Sequence, residues 1–148
     1  RYAVLRGLTL KGTQKIWDSS LFAIGLMWAK RQGRDELKRY LDDSYERFWK
    51  RELDIEDPNV IVGQLRASGC AVQGFESYLA GEGREYHDRL QDEILDRGYY
   101  GVPTYVIDGE AYFGRQHLPR VRWHLQGQVG ALPDISYDTI LEKRLVAS

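Results

Sequence analysis

One change of period divides this 148-residue chain. From Leu21 to Ile94, apolar residues recur mostly every three or four positions, the spacing of helices that bury one face. At Pro103 the pattern becomes β-branched and aromatic: Pro103-Thr104-Tyr105-Val106-Ile107, then Asp108-Gly109, then Ala111-Tyr112-Phe113. Asp-Gly between two such runs is a two-residue hairpin signal, because the tight turn needs positive φ at both central positions. A two-stranded hairpin alone is marginal in water. These strands are therefore expected to join others that this sequence does not display, beside a mainly helical body.

The length leaves room for one domain with a real core, or one domain plus a small inserted subdomain, and excludes two large domains. With 43% hydrophobic and 29% charged residues, disorder and fibrous architectures lose support. The longest apolar stretch, Leu21 to Ala29, is far short of the roughly 20 residues of a membrane span. A net charge of -1, from 21 basic and 22 acidic residues, favours neither nucleic acid nor an anionic membrane, and neither is expected as a partner. The single cysteine, Cys70, removes intrachain disulfides, Cys-x-x-Cys pairs and multi-cysteine zinc sites from these residues. The chain begins Arg1-Tyr2-Ala3, without methionine, and is expected to be incomplete at its front.

Four segments are expected by position: residues 1–13 of unassigned structure, a helical subdomain over 14–97, a hairpin and helix over 98–126, and a tail over 127–148. Asp18-Ser19-Ser20 offers side-chain oxygens to cap a helix from Leu21 to Gln32 that Gly33 stops, apolar nearly all round and so buried nearly all round. The spacing predicts a second helix over Asp35 to Trp49 with Leu37, Leu41, Tyr45 and Phe48 as its inner stripe. Asp57-Pro58 reads as a cap followed by proline at the first helical position, opening a helix that Gly69 closes. A short helix is expected near Gly74 to Ala80. A longer one over Gly83 to Arg97 carries Tyr86, Leu90 and Ile94, with Gly98 ending it in a left-handed conformation. After Gly114, Leu118 to Gln126 reads as a final helix with Pro119 in its first turn and Leu118, Val121 and Leu125 on one side.

Several side chains are candidates for chemistry. Cys70 lies at a helix junction without a neighbouring histidine, which favours a structural thiol over a nucleophile. His117 and His124 share a helix face but lack a third ligand for a metal. Arg115, His117, Arg120, Arg122 and His124 form a basic run that reads first as a solvated face. Trp28, Trp49 and Trp123 read as core aromatics. Proline at the start of a strand donates no ladder hydrogen bond, and an X-Pro bond is the one peptide bond held cheaply in cis. An ordinary trans proline remains the commoner reading of Val102-Pro103 on those grounds alone.

Gly101-Val102-Pro103-Thr104, followed by strand, Asp-Gly turn, strand and glycine, resembles the C-terminal half of the thioredoxin-like DsbA superfamily. Asp18-Ser19-Ser20-Leu21, Phe48-Trp49 and Asp54-Ile55-Glu56-Asp57-Pro58 are similar to the helical insertion of its 2-hydroxychromene-2-carboxylate isomerase and kappa-class glutathione transferase branch. The likeness runs from about Trp17 to Leu125. It implies an α/β, thioredoxin-like (DsbA-type) fold with an inserted helical subdomain, mostly helical in these residues, and a cis-proline loop at Val102-Pro103. It further implies glutathione as cofactor, with the Val102 backbone and Pro103 pairing with its cysteinyl part, and Ser19 where the branch often has an asparagine reaching the ligand. In the loop after the hairpin the branch usually has an aspartate that receives the γ-glutamyl ammonium. Here the loop is Gly114-Arg115-Gln116, so Gln116 offers a neutral amide oxygen and Arg115 favours a carboxylate, and an anionic ligand of another kind fits equally.

The implied activity is a glutathione-dependent isomerase-like or transferase-like enzyme on a small aromatic substrate. The alternatives are a thiol-disulfide oxidoreductase with Cys-x-x-Cys upstream of Arg1, and a non-catalytic binding or dimerisation protein on the same scaffold. The catalytic residue of the superfamily is expected upstream of Arg1. A small-molecule substrate or thiol peptide, a homodimer and a cytoplasmic location complete the expectations.

Overall fold

The computed structural model describes residues 2–133. The chain forms two compact units, Arg1–Gln91 and Asp92–Ser148. The first holds a short helix α1 (Tyr2–Leu5), then α2 (Ser20–Gln32), α3 (Arg34–Trp49), α4 (Pro58–Ala67) and α5 (Phe75–Ala80). The chain passes into the second unit within α6 (Glu82–Asp96). There follow β1 (Thr104–Ile107), β2 (Glu110–Phe113), a 3-10 turn (Arg115–His117) and α7 (Leu118–Leu125). Among the described residues, no helix is long and apolar enough to cross a membrane.

The first unit is built round α2, none of whose residues from Leu21 to Ala29 is exposed. Leu21, Ile24 and Ala29 pack with Tyr40 of α3, Ile61 and Leu65 of α4, Cys70, and Phe75 and Tyr78 of α5. Gly25 explains how closely these helices approach. A Cβ placed there would lie 2.4 Å from the Tyr40 hydroxyl and 3.0 Å from Ile61 Cγ2. Tyr40, wholly buried, stacks on Phe22 and donates its hydroxyl to the Phe22 carbonyl oxygen at 3.2 Å. That geometry recentres α3. Its fully buried positions are Tyr40 and Ser44, while Tyr45, expected in the inner stripe, is 53% exposed, and Leu37, Leu41 and Phe48 flank the contact half-buried. The glycine notch admits the ring at Tyr40, and the helix turns to follow it.

Side-chain bonds fix the connectors. The Asp57 carboxylate accepts the Asn59 N–H at 2.8 Å and Pro58 takes the first helical position, as expected. Gln64, almost wholly buried in α4, accepts from Arg47 at 2.6 Å and donates to Asp43 at 2.5 Å, which ties α4 to α3. Gln32 bonds both faces of the Ala71 peptide, donating to its oxygen at 2.8 Å and accepting from its N–H at 2.7 Å. Trp28 donates to the same oxygen and packs partly buried against the core. Of the three residues that recur every fourth position in α6, Leu90 and Ile94 are half-buried and Tyr86 is 44% exposed.

In the second unit Gly98 is left-handed at the end of α6, and the hairpin forms with Asp108 at φ 51° and Gly109 at φ 85°. Its antiparallel register pairs Thr104 with Phe113 and Ile107 with Glu110. Tyr112 is the buried residue of β2, and Val121 that of α7. Leu118 and Leu125, expected on one side with Val121, are 43% and 79% exposed, so Val121 alone of the three is buried. The expected tail over 127–148 falls mostly outside the described residues.

Candidate functional site

In the first unit, the segment between α1 and α2 is strapped across the end of α3. The Lys11 N–H bonds the Trp49 carbonyl at 3.0 Å and the Arg51 guanidinium takes the Gly12 carbonyl at 3.1 Å. Glu56 then holds the far end, accepting the Asp18 N–H at 2.8 Å and the Lys15 ammonium. The Lys15 bond and, after it, the Asp18 N–H keep the Glu56 carboxyl below its ordinary range. Lys15 also lies 4.4 Å from the Trp17 ring centre.

This strap and α3 enclose a groove of about 330 Å³ whose walls include Trp17, Phe22, Tyr45, Phe48 and Ile55. The rings meet edge to face: Trp17 with Phe48 at 5.7 Å and 73°, Phe22 with Tyr45 at 5.8 Å and 79°. Such walls suit a flat apolar ring. Ser19 and Ser44 also line it. Ser19 occupies the N-cap position of α2, yet its side chain makes no capping bond. The Asp18 carboxylate does that work by accepting the Ser20 N–H at 2.9 Å, the first cause of its lowered pKa. The Ser19 hydroxyl is thereby left for something other than the helix.

The second unit gathers the other anticipated residues. The Val102–Pro103 peptide bond is cis. The Pro103 carbonyl accepts the Gly114 N–H at 2.8 Å, which sets the Val102–Pro103 loop beside the Gly114–Gln116 loop at one end of the hairpin. Gly101 has no room for a side chain, since a Cβ would meet the Phe113 ring at 2.2 Å. Val102 is 91% exposed. Gln116 donates its amide nitrogen to the Phe113 carbonyl at 3.0 Å, which leaves the amide oxygen as an acceptor, and the Arg115 side chain is exposed. Val102, Pro103, Arg115 and Gln116 thus share one neighbourhood, while Ser19 belongs to the first unit.

The remaining candidates settle differently. Cys70 is buried and its thiol is pushed up, first by burial, so it is a poor nucleophile. Among the described residues no group of three or more His, Cys, Asp or Glu side chains could hold a metal. His117 and His124 instead flank the Tyr112 ring, at 5.7 and 5.8 Å. The Tyr112 hydroxyl donates to Glu110 at 2.6 Å and lies 3.1 Å from His124 Nε2, and the Glu110 bond raises its pKa. Part of the basic run therefore folds inward onto Tyr112, with the Arg120 guanidinium 5.6 Å from its ring centre. Lys15, Trp17, Ser44 and Glu56 were not singled out by the sequence for the site. The acidic Asp54–Asp57 stretch was the one signal, and its partner Lys15 lies 41 residues away.

Among characterised proteins, the chain is similar to a 2-hydroxychromene-2-carboxylate isomerase of Sphingobium xenophagum, 24% identical over 90 residues. That match covers 59% of this chain and 45% of the isomerase, so the chain spans about half the length of that relative. The DSBA-like thioredoxin domain family matches residues 3–126, from the first helix through α7, and the chain belongs to that family.

Proposed function

We propose that the protein is an isomerase-like or transferase-like enzyme acting on a small aromatic substrate with glutathione as thiol cofactor. The observation that carries the reading is the aromatic-walled groove with the Ser19 hydroxyl released from capping, in a chain of this family with an isomerase relative. In this reading the rings of Trp17, Phe22 and Phe48 hold the substrate by stacking and exclude water from it. Ser19 donates a hydrogen bond to a substrate oxygen.

The residues of the second unit fit a tripeptide thiol. The exposed Val102 offers backbone N–H and C=O to an extended chain, in the manner of a strand added to an edge. Arg115 takes a carboxylate, and the Gln116 amide oxygen, freed by the bond of its nitrogen to Phe113, accepts an ammonium. Bound glutathione supplies the nucleophilic thiol. Cys70 takes no part, being buried and poorly ionised.

Amide NMR of the full chain tests the two halves separately. Millimolar glutathione is expected to shift signals from Gly101 to Gln116, and Arg115→Ala to weaken that binding at least fivefold. An aromatic probe, 2-naphthol, is expected to shift signals along Lys15–Phe22 and Tyr45–Phe48. Glutathione without effect would overturn the cofactor, and naphthol without effect would overturn the groove as substrate site.

A further inference from the structure

Ser44 lies on the buried face of α3, one turn after Tyr40, and is 1% exposed. Its hydroxyl oxygen is shielded from water and has no hydrogen-bond partner. A serine within a helix ordinarily satisfies its hydroxyl at the carbonyl one turn back or in solvent. Here it does neither, and its side chain lines the aromatic groove with Phe22, Tyr45 and Phe48. Alanine would fill the same space between α3 and its neighbours without a stranded polar atom. The hydroxyl is therefore a cost to the free protein, one that a ligand removes when a change of the Ser44 χ1 rotamer turns the oxygen toward the groove.

We infer that Ser44 is a specificity-determining residue of the groove: its hydroxyl favours aromatic ligands that carry a hydrogen-bonding oxygen over hydrocarbons of the same shape. The inference rests on the reading of the groove as an aromatic site. A ring seated among Trp17, Phe22 and Phe48 loses water from its own substituents. A phenolic or carbonyl oxygen that loses water there regains a partner in Ser44, which can donate or accept. A methyl group in its place neither needs nor finds one. Discrimination by a buried polar group of this kind comes from the unpaired atom left when the partner is missing.

The test compares 2-naphthol with 2-methylnaphthalene, which differ by hydroxyl against methyl, titrated into the full chain and into Ser44→Ala with groove amide shifts as the readout. Ser44→Ala is expected to weaken 2-naphthol about fivefold, the worth of a typical neutral hydrogen bond, and to leave 2-methylnaphthalene within about twofold. If both probes bind the groove and the substitution changes them equally or not at all, the inference fails while the groove stands. If neither probe shifts groove signals in the wild type, the groove reading fails and takes the inference with it. Signals outside the groove report whether the variant is folded. Should it not be, Ser44→Cys, which keeps the shape with a weaker donor, is judged by the same criterion.

Discussion

Gly25→Ala is a direct probe of the notch on which the first unit closes. In an exposed helix the substitution would stabilise by about 1 kcal/mol, through lost chain entropy and better helix propensity. In α2 the new methyl would stand 2.4 Å from the Tyr40 hydroxyl, 3.0 Å from Ile61 Cγ2 and 3.1 Å from Tyr40 Cζ. Tyr40 and Ile61 are wholly buried, so neither can swing into solvent to make room. Overpacking of this sort costs about 1–3 kcal/mol, and displacing the Tyr40 hydroxyl from the Phe22 carbonyl costs about 1 kcal/mol more. Set against the propensity gain, the net expectation is a loss of about 2 kcal/mol, or some 4–8 °C in Tm for a chain of this size.

Urea unfolding followed by far-ultraviolet circular dichroism measures it, and Tyr40→Phe supplies the control. Removing the hydroxyl takes away the closest contact and leaves the two near 3 Å, so Gly25→Ala should cost at least about 1 kcal/mol less in the Tyr40→Phe background. A Gly25→Ala variant more stable than the wild type, or equally destabilised in both backgrounds, would refute the notch as the determinant of the α2–α3 approach.

Three further outcomes follow from the same geometry. Ser44→Ala is expected to raise stability by about 1 kcal/mol in urea, since it removes a stranded hydroxyl without opening a large cavity; a loss of that size would mean that the hydroxyl has a partner in solution. Asp57→Ala removes the cap bonded to Asn59 and is expected to cost about 1 kcal/mol, with Asp57→Ser restoring most of it. Asp18 and Glu56 have carboxyls held below their ordinary values of 3.8 and 4.5, so the folded state binds their protons less readily than the unfolded chain. Their contribution is fully present above those values and is lost as pH falls below them, through the lowered values of the folded state. Tm should accordingly fall less between pH 5 and pH 3 in Glu56→Gln than in the wild type, and equal slopes would count against the Lys15–Glu56–Asp18 strap.

What the sequence disclosed of the fold was local. Asp57-Pro58, Asp108-Gly109 and Gly98 each dictate a conformation within two or three residues, and each appears where it was expected. The burial of α3 is not legible in spacing, which places Leu37, Leu41, Tyr45 and Phe48 on one face, because the centre of that face depends on a glycine in another helix. At the candidate site, the cis Val102–Pro103 bond and the pairing of its loop with Gly114 lie within a short span of chain. The groove does not: Lys15 and Glu56, or Trp17 and Phe48, come together only when the strap folds back over α3. Ser44 reads in sequence as an ordinary polar residue of a charged helix, and only the packing of Tyr40 one turn earlier turns it inward.

The bond pair between Gln32 and the Ala71 peptide has a consequence for motion. A primary amide that donates to a carbonyl and accepts from the N–H of the same residue presents what a neighbouring strand would, a single rung of ladder carried on a side chain. Ala71 lies in a connector with no helix or strand of its own. Its amide proton should nonetheless exchange with solvent deuterium at a rate set by the opening of α2 rather than by the fluctuations of a loop. Gln32 in this way lends the connector between α4 and α5 the persistence of the helix that carries it.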